Sequence, residues 1–326
     1  MGALVALLSG AGWGASDFLG GLATRYKPVP SVLAVAQVAG LVLVFILYGA
    51  AGTQPLGQRH ELWSVGAGLA SVAALGLLYL ASTRGPIAVV APIAAADVIV
   101  PVAVGLAQGP GVKAATGVGL ALAIGGVIVS ALVPRDDGDG YPRRRASRAA
   151  IAQGALLAAG SAACSGLFFV FLSHASTGDP FAAAAIMHLT SCAVVLAAFG
   201  ALAVTRPRRK RSGVGTQVPI AVTQAVRAAR VMYGPGIALA TSLVASGWLA
   251  AAVTGLADGA AEVCFAAAGP GGRLAVAAVL ASLCPAVTAL LALLALRDRP
   301  GATATAGIAV TLAGVALVAA TGVPVG

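Results

Sequence analysis

The sequence predicts an all-α integral membrane protein with ten transmembrane helices arranged as two inverted five-helix repeats. Three observations carry that fold class. Hydrophobic residues make up 59% of the 326 and charged residues only 9%, with a mean hydropathy of +0.97; a soluble domain carries about 25% charge. Ten runs are long and apolar enough to cross a bilayer, which takes about 20 residues per helix. The second half also repeats the punctuation of the first. Tyr79-Leu80-Ala81 leads into Gly85-Pro86, an apolar stretch to Pro101, a short turn and Gly117. Cys264-Phe265-Ala266 leads into Gly269-Pro270, an apolar stretch to Pro285, a short turn and Gly307.

The first span, near residues 3–23, follows Met1-Gly2 with no basic leader and is expected to be retained. The second and third lie near 31–51 and 62–83. The fourth, near 87–108, holds Pro92 and Pro101. Each proline lacks a backbone donor, so this helix is expected to bend around Asp97, which lies between them. The fifth, near 113–133, closes the first repeat, residues 1–133. A charged linker at 134–150 follows, with Asp136-Asp137-Gly138-Asp139-Gly140 and then Arg143-Arg144-Arg145. The second repeat, 151–322, holds spans near 151–173, 180–204, 245–267, 274–296 and 303–322. A basic connector at 206–242 interrupts it, opening on Arg206-Pro207-Arg208-Arg209-Lys210-Arg211. Within it, Thr223, Arg227 and Arg230 share one helical face, opposite Val218, Val222, Ala225 and Ala229. That is the pattern of a helix in the headgroup region; an unstructured basic loop is the alternative.

Pro101 and Pro285 are 184 residues apart, and Gly117 and Gly307 are 190 apart. The copies therefore align with a shortened turn in the first. Five spans per copy is an odd number, so the second copy must enter from the opposite face. Inverted repeats of this kind place a solute pathway at their interface, near the midplane.

The formal charge is +10, from 20 Lys and Arg against 10 Asp and Glu. The basic residues sit in connectors, where they contact anionic lipid and set orientation. The expected partners are therefore the lipid bilayer and a small-molecule substrate, with no nucleic acid, for a monomer or homodimer in the cell (plasma) membrane. Cys164, Cys192, Cys264 and Cys284 all lie in apolar runs without CxxC spacing and read as buried small hydrophobes. The chain has no Asn and hence no glycosylation sequon.

Several of these runs resemble a known family. Ser282-Leu283-Cys284-Pro285-Ala286-Val287-Thr288-Ala289-Leu290-Leu291, then Leu296-Arg297-Asp298-Arg299-Pro300 and Gly307-Ile308-Ala309 with Ala313-Gly314-Val315, resemble the EamA repeat of the drug/metabolite transporter superfamily. Trp13-Gly14-Ala15-Ser16-Asp17-Phe18-Leu19-Gly20-Gly21 is similar to that family's opening helix. Gly85-Pro86-Ile87-Ala88-Val89-Val90-Ala91-Pro92-Ile93 is similar to its entry into the fourth span. The resemblance covers almost the whole chain except the basic connector. The first copy departs from it, with Gln108-Gly109-Pro110-Gly111 where the second has Asp298. What the resemblance implies is a ten-helix secondary carrier of small metabolites or drugs, most often moving them outward, with cytoplasmic termini.

Ionisable groups inside the hydrocarbon are costly, which makes each one a candidate site residue. Asp258 and Glu262 are four apart, on one helical face. Two carboxylates so placed in low dielectric cannot both ionise cheaply, so one is expected to hold its proton, as a proton-coupled carrier requires. The alternative leaves Glu262 hydrated near the helix end and Asp258 bonded to Thr254 or to backbone. Asp97 faces either a cavity or a structural hydrogen bond. Asp17 joins the same pathway or pairs with Arg25 near the interface. His188 is either a proton-relay member or a satisfied core histidine. Trp13, Tyr79 and Trp248 either line a pathway for apolar solutes or serve as packing and interfacial anchors.

The leading expectation is a secondary active transporter, an exporter working by alternating access, with no enzymatic activity. The alternative is a membrane enzyme acting on lipid or isoprenoid substrates. Against that alternative, the spans hold no HExxH, no DDxxD-like cluster, no GxSxG and no Cys-His pair. No P-loop is present either, so no nucleotide, other cofactor or metal is expected. The charges favour termini outside the cytoplasm. With Lys and Arg retained inside, the odd-numbered connectors carry 17 of them and the even-numbered ones 3.

Overall fold

The computed structural model describes residues 2–24, 26–53, 55–84, 90, 93–108, 114–131, 148–205, 247–268, 274–296 and 302–321. Every regular element among them is helical, and none of these residues forms a strand. In order, the helices are α1 (Gly2–Thr24), α2 (Val29–Ala51), α3 (Gln58–Arg84), a 3-10 segment (Ala95–Val98) running into α4 (Ile99–Gln108), and α5 (Ala114–Ala131). They continue with α6 (Arg148–Ala175), α7 (Pro180–Thr205), α8 (Trp248–Ala268), α9 (Leu274–Ala281), α10 (Cys284–Leu296) and α11 (Ala302–Thr321). Most of the charged linker and the whole basic connector, with its expected headgroup helix, lie outside the described residues.

Six helices, α1, α2, α3, α6, α7 and α8, are long and apolar enough to cross a membrane. Their exteriors carry large apolar side chains in the open: Leu156 is 74% exposed, Leu62 67% and Ile46 62%. The interior instead holds His188, Glu262 and several serines. Water would reverse that distribution, and lipid favours it. The described residues are those of a helical membrane protein.

Local chemistry sets the helix ends. Pro30 lies in the first turn of α2, where a missing N–H costs nothing, and Gly52 closes the helix at φ 61°, its N–H on the Gly49 carbonyl. Asp179 caps α7, its Oδ1 accepting the Ala182 N–H at 2.8 Å.

The fourth span is locally irregular and the ninth is divided. The chain winds as a 3-10 helix over Ala95–Val98 before resuming as α4; the irregularity expected around Asp97 takes this form, while Pro92 lies outside the described residues. The ninth span, read from the sequence as one helix over 274–296, is two: α9 ends at Ala281 and α10 begins at Cys284. The cause is shared. Pro101 has no N–H for the Asp97 carbonyl, and Pro285 has none for that of Ala281. Glycines let neighbouring helices reach these backbone sites: Gly166 of α6 lies against the Asp97 carbonyl and Gly10 of α1 against that of Ala281.

The helices pack in set pairs. α1 runs along α8 and α3 along α6. α2 packs on both α7 and α8, and α3 on α7 as well as α6. α1 also meets α9 and α10, while α6 meets α4 and the 3-10 segment. α5 pairs with α11, and α4 with α9. Without a hydrophobic force between helices in lipid, such contacts rest on close backbone approach at small residues. A Cβ on Gly255 of α8 would collide with the Ala36 carbonyl of α2, and one on Gly314 of α11 with the Ala123 amide of α5.

Candidate functional site

The irregular fourth span, the divided ninth and the paired helices line a cavity of about 620 Å³. Each wall is one face of a helix. Trp13, Ser16, Asp17 and Gly20 on α1 recur at three- and four-residue spacing, as do Leu33, Ala36 and Gln37 on α2. Tyr79 enters from α3; Ser161, Ser165, Phe168 and Phe169 from α6; Thr254, Asp258 and Glu262 from α8. Both breaks reach it as well, through Asp97 on one side and Ala281-Ser282 on the other. Six of the seven site residues predicted from the sequence, Trp13, Asp17, Tyr79, Asp97, Asp258 and Glu262, line this one cavity.

His188, the seventh, stands behind the wall. It is fully buried on α7, with Nδ1 2.5 Å from Oε2 of Glu262 and Nε2 3.1 Å from the Gln37 carbonyl. A carbonyl only accepts, so Nε2 carries a proton. The contact between Nδ1 and Oε2 then needs one more, held on the imidazole or on the carboxyl. Ser191 braces the group, its hydroxyl within hydrogen-bonding distance of the Gln37 side-chain oxygen at 3.2 Å and of the His188 carbonyl at 3.0 Å.

The remaining carboxyls differ in their support. Ser165 donates to Oδ2 of Asp97 at 2.8 Å, and the Val98 N–H joins it. The Trp13 indole N–H is the hydrogen-bond partner of Asp258. Asp17 accepts no hydrogen bond from a described residue; its side chain is exposed and contributes to the cavity lining.

Two alternatives raised by the sequence are corrected here. Thr254 does not hold Asp258, because its hydroxyl donates to the Ala250 carbonyl of its own helix at 2.8 Å. Glu262 is not hydrated at a helix end: it is 4% exposed and bound to His188. Arg25, the suggested partner of Asp17, lies outside the described residues. Trp248 sits at the start of α8 with the Lys27 ammonium 4.8 Å from its ring centre, the arrangement of an interfacial anchor.

Trp13 is the centre of an aromatic cluster. Its ring stands edge-on to Phe168 at 6.1 Å and Phe169 at 5.5 Å, and Phe265 backs it at 5.8 Å. Sequence reasoning missed Phe168 and Phe169 together with Gln37, Ser161 and Ser165. The signal lay in single polar residues inside otherwise apolar runs, Gln37 above all. One ligand atom each from His188, Asp258 and Glu262 lies within 4.8 Å of the others. His188 and Glu262 are engaged with each other, however, and we assign no metal there.

No family model matches the sequence, and no curated protein does. Among solved structures, a chain described only as "Crystal structure of protein" superposes with a TM-score of 0.70 over 98% of this chain and 96% of its own. The two are 17% identical, so what they share is the fold, over essentially the whole length of both.

Proposed function

We propose that this protein is a secondary active transporter of the EamA type, carrying a small solute across the cell membrane by alternating access. The observation that carries this reading is the cavity itself, lined by helices from both halves and reached by a 3-10 stretch of the fourth span and by the break in the ninth. Interrupted helices at corresponding positions of two halves mark the solute site of inverted-repeat carriers. The packing pairs support the duplication. Exchanging the first five spans with the second five turns α1 on α8 into α6 on α3, and α2 on α8 into α7 on α3. It turns α1 on the ninth span into α6 on the fourth, and it leaves α2 on α7, α5 on α11 and α4 on α9 unchanged. Alternating access would rock two such halves about their interface. The shared proton of His188 and Glu262, one side chain behind the cavity wall, is suited to couple that motion to a proton gradient.

The test is solute flux in proteoliposomes. A screen of labelled metabolites and amines should find one that moves faster under an imposed pH gradient of one polarity. Movement of none of them, together with chemical modification of a labelled lipid or isoprenoid, would falsify the carrier reading in favour of an enzyme.

A further inference from the structure

Resting on the carrier reading, we propose that the solute of this cavity is an organic cation, an amine or quaternary ammonium bearing an apolar, ring-containing body. The first argument is charge. Four carboxyls line the cavity, Asp17, Asp97, Asp258 and Glu262, and no Lys or Arg does among the described residues. Lys27, Arg59 and Arg84 lie near helix ends, away from that lining. His188 answers only Glu262: with Nε2 protonated and one proton between Nδ1 and Oε2, that pair is neutral as a unit. Asp17, Asp97 and Asp258 are left without a counter-charge. Asp97 and Asp258 are half-buried and Asp17 is open to the cavity; three unpaired carboxyls around one space repel one another when ionised, so they favour either a proton or an entering cation.

The second argument is an open acceptor. Asp97 has its Ser165 donor and Asp258 its Trp13 donor, but Asp17 faces the cavity with no hydrogen bond from a described residue. A cationic head supplies what it lacks. The third argument is the aromatic part of the lining. Trp13, Phe168 and Phe169 present ring surface to the same space, which attracts both a cation and an apolar body. A cavity of about 620 Å³ also falls in the range that holds drug-sized molecules, roughly 300–1,000 Å³. It is far larger than a bare metal ion needs.

The chemistry balances as an exchange. A carboxylic acid of the cavity gives up its proton as the cation arrives, leaving a carboxylate paired with the cation and one proton released. The titratable groups facing this event are Asp17 on α1, Tyr79 on α3, Asp97 on the 3-10 segment, Asp258 and Glu262 on α8, and Cys284 on α10, with His188 of α7 behind Glu262.

Equilibrium dialysis of the purified protein with labelled benzyltrimethylammonium tests the class. Saturable binding is expected, weakening about tenfold per pH unit on the acid side, where one proton competes with one cation. Asp17→Asn should weaken binding at least tenfold, while Thr177→Ala, exposed beyond the end of α6 and outside the cavity lining, leaves it unchanged. Neutral neopentylbenzene, the same shape without charge, should not compete. Competition by neopentylbenzene, or preferential binding of phenylacetate, overturns the proposal. So does binding that Asp17→Asn leaves intact. If another solute shows pH-driven flux in proteoliposomes while benzyltrimethylammonium neither binds nor moves, the cation class falls and the carrier reading stands. If no solute moves at all, the carrier reading falls first.

Discussion

His188 and Glu262 share a proton in the interior of the bundle, and through the Gln37 carbonyl the same imidazole ties α7, α8 and α2 together. Neither residue is exposed by more than 4%. Removing one partner strands the other without water, which costs about 3–5 kcal/mol for a buried pair. His188→Ala and Glu262→Ala should therefore each lower thermal stability in detergent by several degrees. The double variant should lose less than the two singles together, by at least about 1 kcal/mol. Simple additivity in that cycle would show that the two side chains are not coupled.

Asp258 and Asp97 should separate folding from transport. An amide in either place keeps an acceptor for the Trp13 indole or the Ser165 hydroxyl but neither binds nor releases a proton. Asp258→Asn and Asp97→Asn are expected to run as folded monodisperse protein and to lose proton-driven flux. Wild-type flux in Asp258→Asn returns that residue to a structural role.

The helix crossings predict which glycines are replaceable. Gly255 meets the Ala36 backbone, which cannot move aside, whereas a Cβ on Gly49 would meet nothing within 4 Å. Gly255→Val should cost about 3 kcal/mol or more by overpacking. Gly49→Ala should be neutral or stabilise by up to about 1 kcal/mol, since the helix gains from alanine. Equal melting temperatures for the two variants would contradict the α2–α8 packing.

The two prolines at the breaks should matter more to flux than to folding. Pro101→Ala and Pro285→Ala each return an N–H to the carbonyl four residues back, at Asp97 and Ala281. Both variants are expected to hold or raise thermal stability while transport slows at least about tenfold, as the straightened span closes over the cavity. Unchanged flux in both would mean that the breaks are incidental to the solute path.

The basic bias of the connectors, 17 against 3, predicts a C-terminus outside the cytoplasm. On a background with Cys164, Cys192, Cys264 and Cys284 replaced, a cysteine added after Gly326 should react with an impermeant thiol reagent on intact cells. Labelling only after lysis gives the orientation implied by the EamA resemblance instead.

The sequence alone determined the solvent and the candidate residues. Composition is a property of the chain, so apolar runs with basic connectors between them fix a helical membrane fold whatever the packing. The expense of a charge in lipid is equally local, which is why Asp17, Asp97, Asp258, Glu262 and His188 stood out before any contact was known. The breaks were half legible: Pro101 and Pro285 announced lost backbone donors, but whether the helix would bend or divide depended on the neighbours. Those neighbours were decided only in three dimensions. Gly10 and Gly166 sit on other helices, far along the chain from the carbonyls they approach, and nothing in either segment names its partner. His188 and Glu262 are 74 residues apart, and periodicity on one helix carries no information about the facing one. The aromatic wall escaped notice for the same reason. Phe168 and Phe169 look like ordinary core residues until α1 brings Trp13 against them and leaves a cavity on the other side.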